Sequence, residues 1–484
     1  MSGFADSQGR YRLTAGVLAL SLVSGLLIGL AGITGAASSL AVLSLAGLMM
    51  LPLRWVFWAA IFSAFYIAGG GQYFLGINKT FWLPYGFGFV LCLRIFIEVV
   101  AGRYRGNGIG FLGWSALFFG FLLLFSAAVN TVSVIPLVFS IKSYLFLLPV
   151  VAVFVMGMLP EEELHKFWQL LPWLMVSQIP AIAAQVLIYV PRRHDPSRWD
   201  AIVGLFGGDP MGGGASAAMV FFTIVTLLIL CARYREKLES TPRLVCFGLS
   251  ALAIILAAEV KAALILLPLS LMVLYRGDIL KRPLRFLMLG SALLLVLAGV
   301  LFVYQVQFSD SRTAEAKYLD QYIITALQRQ DKAEIDMHTG EMGRGYALQF
   351  WWQKHGLDDP LHFVVGHGVG SSKRGGFSGE VAKKYSFDLQ RSTAAVLLWE
   401  TGLLGLVFVL GLIAYYIRRA AMLATASAHA IDRALASAMV PALLVYALGV
   451  FYNTDLIDVP PSQMVFLLIV AYLQTQLSRL KGEA

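Results

Sequence analysis

Residues 394–417 read AAVLLWETGLLGLVFVLGLIAYYI, an apolar run that follows Arg391 and ends at Arg418 and Arg419. A helix of about twenty apolar residues spans the hydrocarbon core of a bilayer, so this run predicts a transmembrane helix. Similar runs recur along the chain: 58% of its residues are hydrophobic, 13% are charged, and its mean hydropathy is +0.75. Soluble domains carry about 25% charged residues, and the composition therefore indicates a polytopic membrane protein.

The other apolar runs extend this prediction to the whole chain. They indicate an all-α integral membrane protein with about 14 (12–14) transmembrane helices in a single domain, residues 1–484. The predicted helices lie near residues 13–31, 37–53, 55–70, 81–100, 109–128, 134–158, 167–189, 214–232, 243–258, 262–275, 286–306, 394–417, 436–452 and 461–478. The first run lacks a small-residue cleavage site, so we expect no cleaved signal peptide. Cys92, Cys231 and Cys246 all fall in apolar runs and form neither a metal-ligand spacing nor a disulfide framework.

Lysine and arginine are concentrated in alternate connections between the predicted helices. The basic connections contain Arg10, Arg12, Arg54, Arg103, Arg105, Lys166, Arg233, Arg235, Lys237, Arg243, Arg276, Lys281, Arg282, Arg285, Arg418, Arg419, Arg433, Arg479 and Lys481. Connections 31–37, 129–133 and 453–460 contain none. Basic loops stay in the cytoplasm, so both termini are expected to be cytoplasmic. The net charge of +9 then reflects topology and does not indicate a nucleic-acid partner.

Two connections predicted to face away from the cytoplasm are nevertheless charged. One is the loop 191–214, and the other is the loop 307–391, whose 85 residues include eleven Lys or Arg and eleven Asp or Glu. Short helices are predicted in the longer loop over 313–330 and around Tyr346, Phe350 and Trp351, before Gly356. Charges next to a membrane are costly and usually functional, so we expect the functional site in these loops.

Each charged loop ends in the same spacing, an arginine followed by ten residues and a glycine. The pairs are Arg193 with Gly204 and Arg391 with Gly402. The stretch from Arg391-Ser392 to Gly402-Leu-Leu-Gly405 resembles a signature of the O-antigen ligase/polymerase superfamily. Two further segments resemble that family: residues 200–210, DAIVGLFGGDP, and the set Gly343-Arg344, Phe350-Trp351-Trp352, Pro360 and Gly366-His-Gly-Val-Gly370.

The resemblance covers roughly residues 190–415 and implies an integral-membrane glycosyltransferase with a GT-C-like fold. Members act on undecaprenyl-diphosphate-linked oligosaccharides at the periplasmic face of the bacterial inner membrane, without a cofactor. A chain-length-regulating copolymerase and the membrane lipid are the further partners it implies. The ligase branch has a histidine where this chain has Arg391, which favours a polymerase. Two alternatives stay open: an O-antigen ligase that uses a different acceptor, and a polysaccharide transporter or flippase.

Guanidinium groups bind phosphate through two hydrogen bonds and stay charged at a membrane surface. We therefore predict catalytic roles for Arg391 and Arg193, at loop-to-helix junctions, and for Lys261, where the family typically has arginine. The predicted substrate-binding residues are Arg344, Arg192, Arg198, Lys142 and His194. The alternative for each arginine is an interfacial anchor that extends its charge to water. No metal-ligand spacing is present.

The sequence does not identify a general base. The candidates are the loop histidines, which show no shared motif, and several loop carboxylates. They are His194, His338, His355, His362, His367, Asp195, Asp200, Asp388 and Glu341.

Overall fold

The computed structural model describes residues 44–102, 110–193, 198–282, 284, 291, 342–356, 358–374, 378–385 and 387–482. These residues are mostly helical. Their one sheet is a two-residue antiparallel ladder between β1 (Gly208–Asp209) and β2 (Gly213–Gly214). The prediction of an all-α fold is confirmed for this part of the chain.

In the described part of the chain before the long loop, residues 44–50 are helical and eleven α-helices follow them. They are α1 (Leu53–Phe62), α2 (Gly69–Leu75), α3 (Trp82–Val100), α4 (Phe111–Val129), α5 (Val134–Leu145), α6 (Pro149–Val155), α7 (Glu162–Val176), α8 (Ile179–Ala184), α9 (Ser216–Arg235), α10 (Thr241–Ala257) and α11 (Ala263–Lys281). Wider π-helical turns, Ser63–Ala68 and Gln185–Tyr189, continue α1 and α8, and short 3₁₀ turns lie at Asn78–Phe81, Val190–Arg192 and Arg198–Ala201.

Seven further helices lie in or after the long loop among the described residues. They are α12 (Arg344–His355), α13 (Pro360–Val365), α14 (Glu380–Lys384), α15 (Thr393–Ala426), α16 (Ala430–Tyr452), α17 (Asp455–Asp458) and α18 (Pro460–Gly482). The helix predicted around Tyr346 is therefore confirmed as α12. The helix predicted over 313–330 lies outside the described residues.

Nine helices within the described ranges are long and apolar enough to cross a membrane. They span Leu53–Leu75, Asn78–Val100, Phe111–Val129, Val134–Val155, Glu162–Arg192, Ser216–Arg235, Ala263–Lys281, Thr393–Ala426 and Ala430–Tyr452. Helix α10 is apolar but shorter. This pattern is that of a polytopic membrane protein. The predicted runs 13–31 and 286–306 fall outside the described residues or nearly so, and the predicted count of fourteen stays a prediction.

Several runs predicted as continuous helices are interrupted within the described residues. The run 167–189 is divided between α7 and α8 by a turn at Ser177 and Gln178. The run 134–158 is divided between α5 and α6, because Pro149 begins a new helix: its ring lacks an N–H and suits a first helical position. The run 394–417 continues to Ala426 and is broken at Gly402, where φ is +68° and ψ is −167°.

Helices α9 and α16 form the centre of the bundle. In the most apolar stretch of each helix, 78% of α9 and 72% of α16 is buried. Helix α4, by contrast, is only 28% buried and exposes Trp114, Leu117 and Phe121. An apolar side chain on an outward face indicates contact with lipid. Below, the loop end is the end of the bundle on which residues 342–391 pack; the opposite end carries Glu161, Glu236 and Asp432.

Candidate functional site

A segment of the long loop packs against α15 at the break around Gly402. The backbone N–H of His367 donates to Trp399 O (2.8 Å), and that of Gly368 donates to Glu400 O (3.1 Å). A Cβ on Gly402 would lie 2.3 Å from the carbonyl carbon of Val364, and one on Gly366 would lie 2.5 Å from Thr401 N. Both glycines have a positive φ, so they allow the loop and the interrupted helix to touch through their backbones.

The end of α4 completes this junction. Asn130 Nδ2 donates to Ser126 O (2.8 Å) and to Gly366 O (3.0 Å). The hydroxyl of Ser126 lies 2.8 Å from Glu400 O and also contacts Val365 O. These contacts satisfy carbonyl groups that the helix break and the loop would otherwise leave buried without partners.

Glu400 is the buried carboxylate of this junction, 1% exposed. Tyr144 OH donates to Oε2 and Ser372 Oγ donates to Oε1, both over 2.8 Å. The backbone N–H of Gly370 is a third donor. Gln390 Nε2 in turn donates to Ser372 Oγ (3.1 Å). Glu400 thus links α5, the loop and the first part of α15, and it fixes the position of the next loop residue, Lys373.

Lys373 and Lys142 approach the short helix α17. Lys373 Nζ lies 3.9 Å from Asp458 Oδ1. Lys142 is 8% exposed, and its Nζ lies 3.7 Å from the Trp82 ring centroid and 5.0 Å from that of Tyr85. Lys142 is also close enough to Lys373 and Asp458 to interact with both charges. The predicted substrate-binding residue Lys142 therefore lies beside a lysine that the sequence analysis did not select.

Arg344 reaches the same turn from α12. Its Cζ lies 4.2 Å from the Tyr452 ring centroid, and its Nε is buried without a hydrogen-bond partner among the described residues. Asp455 is close enough to Arg344 for their charges to interact. The side-chain amide of Asn453 donates to Asp455. Burial raises the pKa of Asp455 well above its usual range, and the charge of Asp458 acts in the same direction.

Arg391 immediately precedes the contact between α15 and this turn. Ser392 caps α15, its Oγ accepting from Ala395 N (3.2 Å), and Thr393 donates from N (2.7 Å) and from Oγ1 (2.8 Å) to Asn453 O. We call the four residues around the turn 453–458 the basic cluster: Lys142, Arg344, Lys373 and Arg391. They come from four separate segments of the chain, and three of them were predicted site residues.

Arg193 belongs to a different part of the loop end. It is 4% exposed, and its charge and that of Asp209 both act on Tyr73. Gln185 Oε1 accepts from Val203 N (3.0 Å) and from Gly204 N (2.9 Å). Residues 198–214 are therefore packed against the helix ends, and the glycine-rich stretch is an ordered backbone.

The remaining predicted residues occupy separate positions. Lys261 is exposed in the turn between α10 and α11, next to Glu259, whose φ is +54°. Arg192 is exposed with its Cζ 5.8 Å from the Tyr189 ring centroid. Arg198 begins a 3₁₀ turn, and His194 lies outside the described residues. The roles predicted for these residues stay predictions.

Three loop histidines that share no motif in the sequence are neighbours in the structure. His355 Nε2 lies 2.7 Å from His367 Nε2, and the rings of His362 and His367 stack with centroids 4.0 Å apart. His355 Nδ1 lies 2.9 Å from Trp351 O, which orients that ring. We call His355, His362 and His367 the histidine cluster.

The protonation states within the histidine cluster follow from its partners. Because Asn130 Nδ2 donates to two carbonyls, its Oδ1 faces His362 Nε2 (2.9 Å), while His362 Nδ1 faces Asp359 Oδ2 (2.6 Å). Both ring nitrogens of His362 therefore lie next to oxygen atoms of other side chains. Burial, and then the charges of His362 and His355, lower the pKa of His367 to about 3, so His367 is neutral at physiological pH.

At the opposite end, Glu161, His165 and Asp432 are the one group among the described residues whose ligand atoms could hold a metal ion, all within 4.8 Å of one another. Gln476 Nε2 donates to Glu161 and, over 3.5 Å, to Asp432 Oδ1. Tyr472 OH also donates to Asp432 Oδ1 (2.7 Å). Protein donors therefore already contact one oxygen of each carboxylate.

Neither the protein-family models nor the curated proteins compared with this chain include a match.

Proposed function

We propose that the protein is a membrane glycosyltransferase that transfers a growing glycan from undecaprenyl diphosphate to the sugar end of a second lipid-linked repeat unit. The observation that supports this most directly is the basic cluster. Lys142, Arg344 and Lys373 come from separate segments and lie around one turn at the loop end, and Arg391 directly precedes the start of α15 that contacts this turn. In this proposal that end faces the periplasm of a bacterial inner membrane.

The chemistry of the cluster suits a diphosphate. Arginine binds phosphate oxygens through two parallel hydrogen bonds, and lysine adds a compact point charge. Asp455 is buried and its carboxyl group keeps a proton to higher pH than a free aspartate, so it neutralises less of the positive charge. Fixed cations stabilise the charge that develops on a leaving diphosphate, and fixed charges of this kind often give the largest single contribution to catalysis.

The placement of the cluster also suits a lipid-linked substrate. It borders long apolar helices, where a polyprenyl chain would remain in the bilayer while its diphosphate reaches the helix ends. The junction between the long loop and Gly402 carries Lys373 on a backbone that Glu400 holds in place. The resemblance to O-antigen polymerases supports the same proposal, and with it a chain-length-regulating membrane partner.

The test uses the purified protein in proteoliposomes and a defined lipid-diphosphate-linked repeat unit, without nucleotide sugar and in the presence of EDTA. The measurement is the length distribution of the products. Wild-type protein should lengthen the glycan, because the cluster itself supplies the stabilising charge. Arg344→Ala and Lys373→Ala should each slow lengthening about a hundred- to a thousandfold. Lys383→Ala, an exposed lysine paired with Glu380, should retain the wild-type rate.

Other outcomes would support the rival functions. Product attached only to a non-polymer acceptor such as a lipid A-type core would indicate a ligase. Movement of the lipid-linked glycan across the bilayer without any change in length would indicate a flippase. Activity that EDTA abolishes and magnesium restores would contradict charge stabilisation by the basic cluster alone.

A further inference from the structure

Two carboxyl groups of α17 lie inside the basic cluster but have opposite surroundings. Asp455 and Asp458 are three residues apart, which places them on one face of the helix. Asp455 is 4% exposed and accepts from the amide of Asn453. The side chain of Asp458 is 35% exposed, and its Oδ1 lies 3.9 Å from Lys373 Nζ.

This difference separates the possible roles of the two groups. Burial raises the pKa of Asp455, so that carboxyl group is suited to hold a proton rather than to accept one. Asp458 is reachable from solvent, and its Oδ1 lies beside the Lys373 ammonium group. Pairs of carboxyl groups whose environments differ in this way commonly divide the proton-holding and proton-accepting roles of a reaction.

The other candidate bases around the cluster are less available. Glu400 is 1% exposed, and three donors already occupy its oxygens. Asp388 Oδ1 accepts from Gln390 N (3.0 Å) in a local turn. His355 and His367 are hydrogen-bonded to each other. Among these groups, Asp458 combines exposure with a position next to two lysines.

We propose that Asp458 is the general base of the transfer, an inference that rests on the function proposed above. An oxygen of Asp458 takes the proton from the acceptor hydroxyl while that hydroxyl oxygen forms a bond to the anomeric carbon of the donor. The bond between the anomeric carbon and the phosphate oxygen breaks, and its electron pair leaves with undecaprenyl diphosphate. The basic cluster stabilises that leaving group, and Asp458 then releases the proton to water.

Asp458 lies close to the two lysines of the basic cluster. Lys373 Nζ lies 3.9 Å from Asp458 Oδ1, and Lys142 is close enough to interact with both charges. In a single displacement the acceptor oxygen attacks the anomeric carbon from the face opposite the departing phosphate, so the donor sugar would lie between Asp458 and the diphosphate. The contact of Lys373 with Asp458 would be released or shared when the diphosphate binds.

The experiment compares Asp458→Asn, Asp458→Glu and Asp455→Asn in the proteoliposome assay, with Glu380→Gln as the control for an exposed loop carboxylate. Donor binding is measured separately with radiolabelled lipid-diphosphate glycan. Asp458→Asn should bind the donor within about twofold of wild type but transfer about 10²–10⁴ times more slowly. Asp458→Glu should recover part of the rate, and Asp455→Asn should lose much less than Asp458→Asn.

The pH profile supplies the second readout. Wild-type activity should fall on acidification as the base becomes protonated, and the residual activity of Asp458→Asn should lack that fall. An Asp458→Asn variant within threefold of the wild-type rate overturns the inference while leaving the proposed function standing. Loss of donor binding in proportion to the loss of rate would make Asp458 a binding residue. Wild-type protein that transfers no lipid-diphosphate-linked glycan overturns both proposals.

Discussion

Gly402 has a backbone conformation that side-chain-bearing residues rarely adopt. Its φ of +68° and ψ of −167° interrupt α15 just after Glu400 and Thr401, and its hydrogen atoms allow Val364 to approach. The resulting junction joins the loop to the helix through backbone contacts. A single residue therefore determines where Glu400, and through Ser372 also Lys373, can lie.

Gly402→Ala should destabilise this junction strongly. The variant combines a strained backbone, which costs about 1–3 kcal/mol, with a Cβ 2.3 Å from the Val364 carbonyl carbon. Gly411→Ala is the matched control, because it lies in the same helix and its Cβ would meet nothing within 4 Å. Thermal unfolding in detergent should show a lower midpoint for Gly402→Ala alone. Equal midpoints for the two variants would contradict this account of the break.

Arg391 allows a test of charge against geometry. Arg391→Lys keeps the charge but loses the planar pair of N–H groups, so it should keep part of the polymer-forming activity. Arg391→Ala should lose most of it, about a hundred- to a thousandfold. The measurement is polymer amount and length at matched membrane levels of each variant. Polymer of wild-type length and amount from Arg391→Ala would reduce this residue to an interfacial anchor.

At the scale of elements, the short helix α13 is attached to the bundle by histidines. His362 connects Asp359 to Asn130 at the end of α4, and His367, two residues after α13, contacts His355 on α12. Ring nitrogens of these histidines make the contacts, and whether each nitrogen donates or accepts depends on its protonation. Attachment of this part of the loop should therefore depend on pH.

Acidification below pH 6.5 should weaken the attachment of the loop. An unfolded histidine takes up a proton near pH 6.5, whereas folded His367 does so only near pH 3. Between these values the unfolded loop binds more protons, so stability falls as the pH falls, by at most about 1.4 kcal/mol per pH unit. Limited proteolysis at pH 7 and pH 5 should detect this, with faster cleavage of the loop in acid.

His367→Gln should remove much of that acid dependence, because glutamine does not titrate. His429→Gln changes an exposed histidine far along the chain and should leave the dependence as in wild type. Equal acid sensitivity of the wild type and His367→Gln would show that another group controls the docking of the loop.

At the scale of the whole molecule, the two ends of the bundle carry different chemistry. The loop end gathers the basic cluster and the histidine cluster. The opposite end holds paired charges, such as Arg433 with Glu236, whose Nη2 and Oε2 lie 2.6 Å apart. Basic connections favour the cytoplasm, so the opposite end is expected to be cytoplasmic.

Reporter fusions test that orientation. A fusion at Lys237, in a basic connection, should report the cytoplasm, and a fusion at Ser371, beside the basic cluster, should report the periplasm. An enzyme such as alkaline phosphatase, active only outside the cytoplasm, gives the measurement. Reversed signals would move the proposed site to the cytoplasmic face and rule out a periplasmic lipid-diphosphate donor.

Sequence alone determined the class of fold and part of the site. Every predicted apolar run within the described residues is mostly helical, because the length and polarity of a run suffice to predict a membrane span. Lys142, Arg344 and Arg391 could be selected because they are basic residues at or near loop junctions, or because they match a family position. The three loop histidines were visible too, but their proximity was not.

Only the tertiary structure decided which groups meet. Lys373, Glu400, Asp455 and Asp458 show no motif, since their partners lie in distant segments. Glu400 lies inside an apolar run whose composition predicts an unbroken helix, yet the break two residues later turns its carboxylate toward Tyr144 and Ser372. Hydropathy records the local preference of each segment for lipid or water. The break in α15, the docking of the loop and the gathering of charges around α17 depend on backbone contacts between segments, which local preference does not encode.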